Sequence, residues 1–144
     1  MTALLEAKQM KVYPFTETQK LLLEISNGSP YPFLWWDAQL SFSVLYDNVI
    51  DGEASRVEDA DIAFTRMVIG LGQNPWYIKN VSTLSAGMGA IWALWRSSEQ
   101  KETKSLRLSP LIQMAYMICI IERGAHGLMQ YRELIDKTLN KELE

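Results

Sequence analysis

One apolar stretch, residues 33–53, constrains the fold of this chain more than any other. Its sequence is FLWWDAQLSFSVLYDNVIDGE. Wound as an α-helix, it places Phe33, Trp36 and Leu40 on one line and further apolar residues on almost every other side. A helix that is apolar nearly all round has to be covered from several directions. We therefore predict a central helix over residues 33–50.

The rest of the chain is also typical of helices. No segment alternates apolar and polar residues with the period of a half-buried strand, and no internal repeat is present. A chain of 144 residues with 48% hydrophobic and 22% charged residues is typical of one globular domain. The sequence therefore predicts a single all-α domain over residues 1–144, a bundle of about six helices around the central one.

Helix start and stop signals divide the first part of the chain. Residues 1–14 contain helix formers as far as Pro14, which ends any helix, and we expect a short helix or an N-terminal arm there. The sequence Thr16-Glu17-Thr18-Gln19 has the spacing of a capping box. It predicts a helix that runs to about Ser26 and ends through the left-handed exit Asn27-Gly28.

A second capping-box pattern, from Ser55 to Glu58, predicts the start of an amphipathic helix. Its charged residues Asp59, Asp61 and Arg66 are expected on the solvent side, together with Glu58. Apolar residues recur at helical spacing and form one line, which we expect to face the core. This line consists of Val57, Ala60, Phe64, Val68 and Leu71.

A cap followed by proline marks the next element. Asn74 before Pro75 predicts a single helical turn that places Trp76 on the core. A separate, longer helix is expected over residues 82–98. The segment 97–108 is the most hydrophilic in the chain, so it is expected to be a mobile loop or an exposed extension of its neighbours.

Two more helices are expected near the C-terminus. Ser109-Pro110 repeats the cap-plus-proline signal and begins an apolar helix over residues 111–121. Residues 122–125 include Gly124 and predict a break or tight turn. The last helix is expected over residues 126–140, with four residues facing inward: Leu128, Tyr131, Ile135 and Leu139.

Charge and cysteine content argue against several classes of protein. The net charge is −3, and Lys101, Lys104 and Arg107 form the one group of basic residues, so general binding of nucleic acid is not expected. The single cysteine, Cys119, lies in an apolar run and is expected to be a buried, reduced thiol. The chain begins without a secretory signal and has no run of membrane-spanning length. We therefore expect a cytoplasmic protein without membrane contact.

The acidic residues at the end of the central helix form the first candidate site. Asp47 and Asp51 lie one helical turn apart and, with Glu53, could hold Mg²⁺, whose preferred ligands are carboxylate oxygens and water. The favoured interpretation, with the Mg²⁺ site as the alternative, is that these residues form a turn after the helix. Asp47 would then pair with an arginine such as Arg96 or Arg123.

No catalytic motif accompanies these carboxylates. The sequence has no glycine-rich phosphate loop, no nucleophile elbow and no paired cysteines. The single histidine, His126, could act as a general base with Asp37 or Asp47 as its partner. The favoured interpretation is a packing residue or a residue at a helix start. We assign no catalytic residue, and Asp47, Asp51 and His126 form the alternative set of an enzyme.

The tryptophans form the second candidate site. Not all five can be central in a domain of this size, so one or two are expected at an interface, where tryptophan is favoured. We predict partner binding through Trp35, Trp36, Trp76 and Tyr77. The partner would be another protein or a further copy of the chain, and no cofactor is required. A small enzyme or ligand binder that uses the acidic cluster with Mg²⁺ is the alternative.

Several short motifs follow one another along the chain: Trp35-Trp36, Tyr46-Asp47-Asn48-x-x-Asp51-Gly52, Asn74-Pro75-Trp76-Tyr77 and Gly124-Ala125-His126-Gly127-Leu128-Met129. Their order resembles small all-helical proteins of unknown role in tailed-phage genomes. The resemblance covers about residues 33–131. It implies a viral accessory protein or virion component, located in the host cytoplasm or the virion, and it assigns no catalytic residue.

Overall fold

A computed structural model describes residues 15–50, 52, 57–98 and 104–142 of the chain. Every regular element in this part is helical, which confirms the predicted all-α class. The described residues form five helices, so the predicted count of about six is not confirmed, and the predicted N-terminal arm lies outside them. The elements are α1 (Thr16–Ile25), α2 (Tyr31–Ile50), α3 (Val57–Phe64), a π-helical segment (Thr65–Gly70), α4 (Pro75–Ser98) and α5 (Lys104–Glu142).

α2 lies at the centre of this arrangement and contacts α1, α3, α4 and α5. All residues from Trp35 to Ser41 are buried, whichever side of the helix they occupy. The Trp36 ring packs edge-on against Phe15, with 5.8 Å between the ring centroids. Its Nε1 donates a hydrogen bond to the carbonyl oxygen of Leu111, at 3.0 Å. α2 is apolar on almost every side because other helices pack against it from several directions.

α5 reverses direction at Gly124, inside the segment where a break was predicted. Gly124 has φ 74° and ψ −178°, a backbone conformation that is essentially restricted to glycine. On either side of it, the Tyr116 hydroxyl donates a hydrogen bond to the Asp136 carboxylate. A straight helix would separate two residues this far apart in sequence by about 30 Å. α5 therefore has two arms that pack against each other, and the predicted break is confirmed.

The N-terminus of α1 is capped by the far end of α5. The helix begins at Thr16, but no side chain within it caps the first turn. Instead, the Glu142 carboxylate accepts hydrogen bonds from the backbone N–H groups of Glu17, at 3.2 Å, and of Thr18. The helix start was thus predicted correctly, while the source of the cap was wrong. An acidic side chain is favoured here because the free N–H groups carry partial positive charge.

The C-terminus of α1 is held by the other arm of α5. Arg123 donates from Nε to the carbonyl oxygen of Ile25 and from an Nη atom to that of Glu24, both at 2.9 Å. Asn27 and Gly28 both have positive φ and form the predicted left-handed exit. A cation satisfies the carbonyl groups that a helix leaves free at this end. α1 is therefore clamped by α5 at both ends.

α4 is one continuous helix, so the prediction of a single turn before a separate helix was wrong. Its predicted cap is confirmed, because the Asn74 side-chain oxygen accepts a hydrogen bond from the N–H of Tyr77 at 3.0 Å, with Pro75 as the first helical residue. Trp76 is buried against Trp35, with 5.8 Å between the ring centroids. No residue between the turn and residue 82 breaks the helix, and it continues to Ser98.

The hydrophilic segment 97–108 is helical at both of its ends. Residues 97–98 belong to α4 and residues 104–108 to α5, while residues 99–103 lie outside the described part. α5 thus begins before Pro110, which lies inside the helix and not at its first position. This agrees with the predicted extension of the neighbouring helices and restricts any loop to the residues between them. The basic group at 101–107 has no described side chains.

Candidate functional site

The structure places the predicted partner-binding tryptophans in the core. Trp35, Trp36 and Trp76 are buried, and Tyr77 is half-buried and packs against the same core. In this conformation the tryptophan rings are covered by the protein itself. Their role in partner binding stays a prediction that requires another conformation, and a surface for a partner has to be sought elsewhere.

The predicted acidic site lies mostly outside the described residues. Asp47 is a residue of α2, but its side chain is not described, and Asp51 and Glu53 fall outside. Within the described ranges no group of histidine, cysteine and acidic residues could hold a metal ion. The predicted turn at residues 47–53 and the alternative Mg²⁺ site therefore both stay predictions.

The other titratable candidates differ in their environment, since one is exposed and the others are buried. His126 is exposed on α5, two residues after the reversal at Gly124. Asp37 is buried in α2 and forms an ion pair with Arg66. Cys119 is fully buried, as predicted, and burial raises the pKa of its thiol while Arg123 opposes the shift. The structure does not bring His126 and Asp37 together as a base and its partner.

The most informative departure from the sequence analysis is the orientation of α3. We call Val57, Phe64 and Val68, from the predicted inward line, the outer stripe: their exposed fractions are 74%, 58% and 58%. Asp59, expected on the solvent side, is 2% exposed and Ala63 is also buried. The predicted inward face was therefore wrong. Only the end of the line, Leu71, is buried as expected.

An ion pair with α2 explains this inverted orientation. Arg66 reaches the buried Asp37, with 3.1 Å between Nη1 and Oδ2, and also donates to the hydroxyl of Ser41 at 2.6 Å. Burial raises the pKa of the Asp37 carboxyl, and the Arg66 guanidinium opposes that shift. A buried carboxylate requires a charged or hydrogen-bonding partner. Meeting that requirement brings the polar side of α3 and its π-helical extension against α2.

The π-helical segment continues α3 and carries the arginine. The N–H of Leu71 donates to the carbonyl oxygen of Arg66, five residues earlier, as in a π-helix. A wider turn holds one more residue than an α-helical turn. Arg66 and Met67 are half-buried in it, whereas Val68 and Ile69 are exposed. Such segments are rare and occur frequently at functional sites.

An apolar groove runs beside the outer stripe, between α2 and α3. Its volume is about 410 Å³. One wall comes from α2 and the other from α3 and the π-helical segment, and among the lining residues Asp61 is charged and exposed. We call this feature the α3 groove. Its described lining consists of Phe42, Leu45, Ala60, Asp61, Ala63, Phe64, Met67 and Val68.

Neighbouring side chains fix the walls of the α3 groove. Phe42 stacks on Tyr46, with ring centroids 6.2 Å apart, and meets Trp92 of α4 edge-on at 5.7 Å. On the other wall, the Met67 sulfur accepts a hydrogen bond from Nε2 of Gln39 at 3.5 Å. Together with the Arg66 ion pair, these contacts hold both walls in place without a ligand. The groove is thus formed in advance, which lowers the entropic cost of binding.

A second cavity, between α2, α4 and α5, is much smaller. Its volume is about 40 Å³, and it is lined mainly by apolar side chains, among them Met88, Ile91, Trp92 and Leu111. A space of this size holds a water molecule or two. It is a packing defect of the core and offers no room for an organic substrate.

The sequence contains a signal that would have identified the α3 groove. Asp37 is the only charged residue in the apolar part of the central helix, residues 33–46, and a buried charge there has to be paired. Arg66 is one of few cations in the middle of the chain and was the natural partner. Pairing them would have turned α3 around and placed Phe64 and Val68 outside. Periodicity alone locates an apolar line but does not show what covers it.

No protein-family model, curated protein or solved structure matches this chain. The function therefore has to be argued from the fold and the groove themselves. Among the described residues, no helix is both long and apolar enough to cross a membrane.

Proposed function

We propose that this chain is a non-enzymatic interaction protein that binds a helix, from a partner or from another copy of itself, in the α3 groove. The observation that carries the proposal is the exposure of Phe64 and Val68 beside a preformed apolar groove. Contiguous exposed apolar surface is typical of binding sites in folded proteins. The tailed-phage resemblance adds the proposal that the complex belongs to a virus, as an accessory or virion component.

The energetics favour a protein ligand over a small polar substrate. Burial of apolar surface contributes about 25 cal/mol per Å², and the described lining is almost entirely apolar. Large side chains in such a groove are typical binding hot spots. A helix docks in a groove of this kind through residues spaced three and four apart. Phe64 and Val68 are themselves spaced by four and form a ridge along one wall.

The proposal is tested with the variants Phe64→Asp and Val68→Asp and with Met129→Asp as the matched control. Met129 is 79% exposed on α5 and does not line the groove. Light scattering measures self-association, and native affinity purification from the producing cells recovers a partner. Thermal unfolding reports stability. We expect both groove variants to lose the partner or the oligomer while they keep the wild-type melting temperature, and the control to keep both.

Two results would contradict the proposal. One is a monomer that recovers no partner under native conditions. The other is a complex that survives in Phe64→Asp and Val68→Asp as it does in Met129→Asp, which would show that binding uses another surface.

A further inference from the structure

The charge around the α3 groove selects among its possible occupants. We infer that the groove binds a basic amphipathic helix of a different protein, with apolar anchors on one face and Lys or Arg along the edge that lies against α3. This inference rests on the proposed function and narrows it to one class of partner.

The negative charge of the chain is concentrated in one segment. Residues 47–64 contain six of the seventeen acidic residues and one basic residue, Arg56. The remainder of the chain holds eleven acidic and thirteen basic residues, so it is slightly positive. The net charge of −3 therefore originates in the end of α2, the connection after it and α3. Of these elements, α3 carries Glu58, Asp59 and Asp61 and forms one wall of the groove.

The structure shows part of this charge at the groove itself. Asp61 lines the groove and is exposed, and Glu58 is exposed one turn before it on α3. Arg66, five residues after Asp61, is held by Asp37 at 3.1 Å and by Ser41 at 2.6 Å. Its charge is thus offset within the protein. The groove therefore presents an apolar surface with a negative border, which attracts a positively charged ligand.

This charge argues against a second copy of the chain on the same face. Most homodimers are two-fold symmetric and bring the same patch of both subunits together. Here such a contact would bring two copies of the exposed carboxylates Glu58 and Asp61 close together. Like charges across an interface oppose association. A ligand from a different protein with the opposite charge avoids this cost.

The experiment uses the full chain and two synthetic helices as probes. Both probes carry leucine at positions i, i+3, i+4 and i+7, and their flanking positions are lysine in one and glutamate in the other. Calorimetric titration at low and at high salt gives the two affinities, and NMR shift mapping locates the binding at Phe42, Phe64 and Val68. We expect the lysine probe to bind about tenfold more tightly than the glutamate probe, because lysine forms exposed ion pairs with the groove carboxylates and glutamate is repelled by them. High salt should reduce this preference.

The variant Asp61→Lys should reduce or abolish the preference for lysine. Glu133→Lys changes the net charge by the same amount on an exposed position of α5 and should leave the preference as in wild type. Equal binding of both probes, or a preference that survives in Asp61→Lys, would overturn the inference while the proposed function stands. If neither probe shifts the groove resonances, and Phe64→Asp disrupts a wild-type dimer, the occupant is a second copy. If neither probe binds and Phe64→Asp changes no association, the proposed function fails as well.

Discussion

The helices that pack on α2 differ in which of their residues they bury. On one side of α2, α1 and α5 pack together through fully buried apolar residues such as Leu22 and Leu139, and the charged side chains of Glu142 and Arg123 bind the two ends of α1. On the other side, α3 buries Asp59 and joins α2 through the Arg66 ion pair to Asp37, while Phe64 and Val68 face solvent.

The difference shows that apolar periodicity and burial are separate properties. α1 has one apolar face and a matching surface on α5, and the charges of Glu142 and Arg123 complete the helix termini. α3 also has an apolar line, but the ion pair between Asp37 of α2 and Arg66 holds the polar side of α3 against α2. We infer that the first side is closed for stability and that the second is left open for binding. The predictions below address the two sides in order of decreasing effect.

The largest effect is expected for Arg66→Ala on the open side. It leaves the carboxylate of Asp37 buried without its cation, and loss of one member of a buried pair costs about 3–5 kcal/mol. Urea unfolding measures the change. The double variant Asp37→Asn with Arg66→Ala serves as the control and should recover part of the loss. A loss below about 1 kcal/mol, the range of exposed pairs, would show that the pair does not hold α3 against α2.

Gly124→Ala tests the closed side, because the reversal of α5 brings both arms to α1. A residue with a side chain in this backbone conformation costs about 1–3 kcal/mol. Gly89→Ala is the matched control. Gly89 lies within α4 with no heavy atom near the position of an added Cβ, so alanine there should stabilise by about 0.5–1 kcal/mol. Equal effects of the two substitutions on the free energy of unfolding would argue against the reversal.

Removal of the cap on α1 should have a smaller effect. Glu142→Ala deprives two backbone N–H groups of their acceptor, and loss of a helix cap costs about 1 kcal/mol. Glu133→Ala removes an equal charge from an exposed position of the same helix and should change the stability little. Hydrogen exchange of the Glu17 and Thr18 amides locates the effect. Unchanged protection of both amides in Glu142→Ala would contradict the cap.

The smallest effect concerns the pH dependence of the open side. Burial raises the pKa of Asp37 above its ordinary value of 3.8. The folded protein therefore binds this proton more tightly than the unfolded chain does. Below pH 3.8 the carboxyl is protonated in both states and does not lower the free energy of unfolding, whereas above the raised pKa it is ionised in both states and does lower it. Relative to Asp37→Asn, wild type should lose stability as the pH rises from 3.8 through the raised pKa. A difference in unfolding free energy that is constant or of opposite sign would contradict the burial of Asp37.

Local signals in the sequence predicted most of the helical elements. The all-α class, the cap at Asn74, the exit at Asn27 and the break near Gly124 depend on residues close together in the chain. The burial of Cys119 also followed from its immediate neighbours. Such features are set by backbone geometry and local hydrogen bonds, and these can be read from short segments.

The candidate site could not be predicted in the same way. The orientation of α3 depends on the pairing of Asp37 with Arg66. In the same way, the cap at the N-terminus of α1 comes from Glu142, which is far from α1 in sequence. The sequence indicates that Asp37 requires a partner, but which of the distant cations pairs with it depends on the fold. The tryptophans were placed at an interface because five large rings exceeded the expected core. Among the residues that the structure describes, Trp35, Trp36 and Trp76 are buried, and the most exposed aromatic residue is Phe64.

The central claim is that the outer stripe of α3 is open to solvent and serves as a docking surface, and thiol labelling tests it most directly. The native Cys119 is fully buried, and burial raises its pKa, so it should react only when the protein opens. A thiol introduced by Val68→Cys should react at the rate of a free thiol under native conditions and be slowed by the lysine-flanked helix. A Val68→Cys thiol that is as protected as Cys119 in the free protein would show that the stripe is core, and would contradict the account.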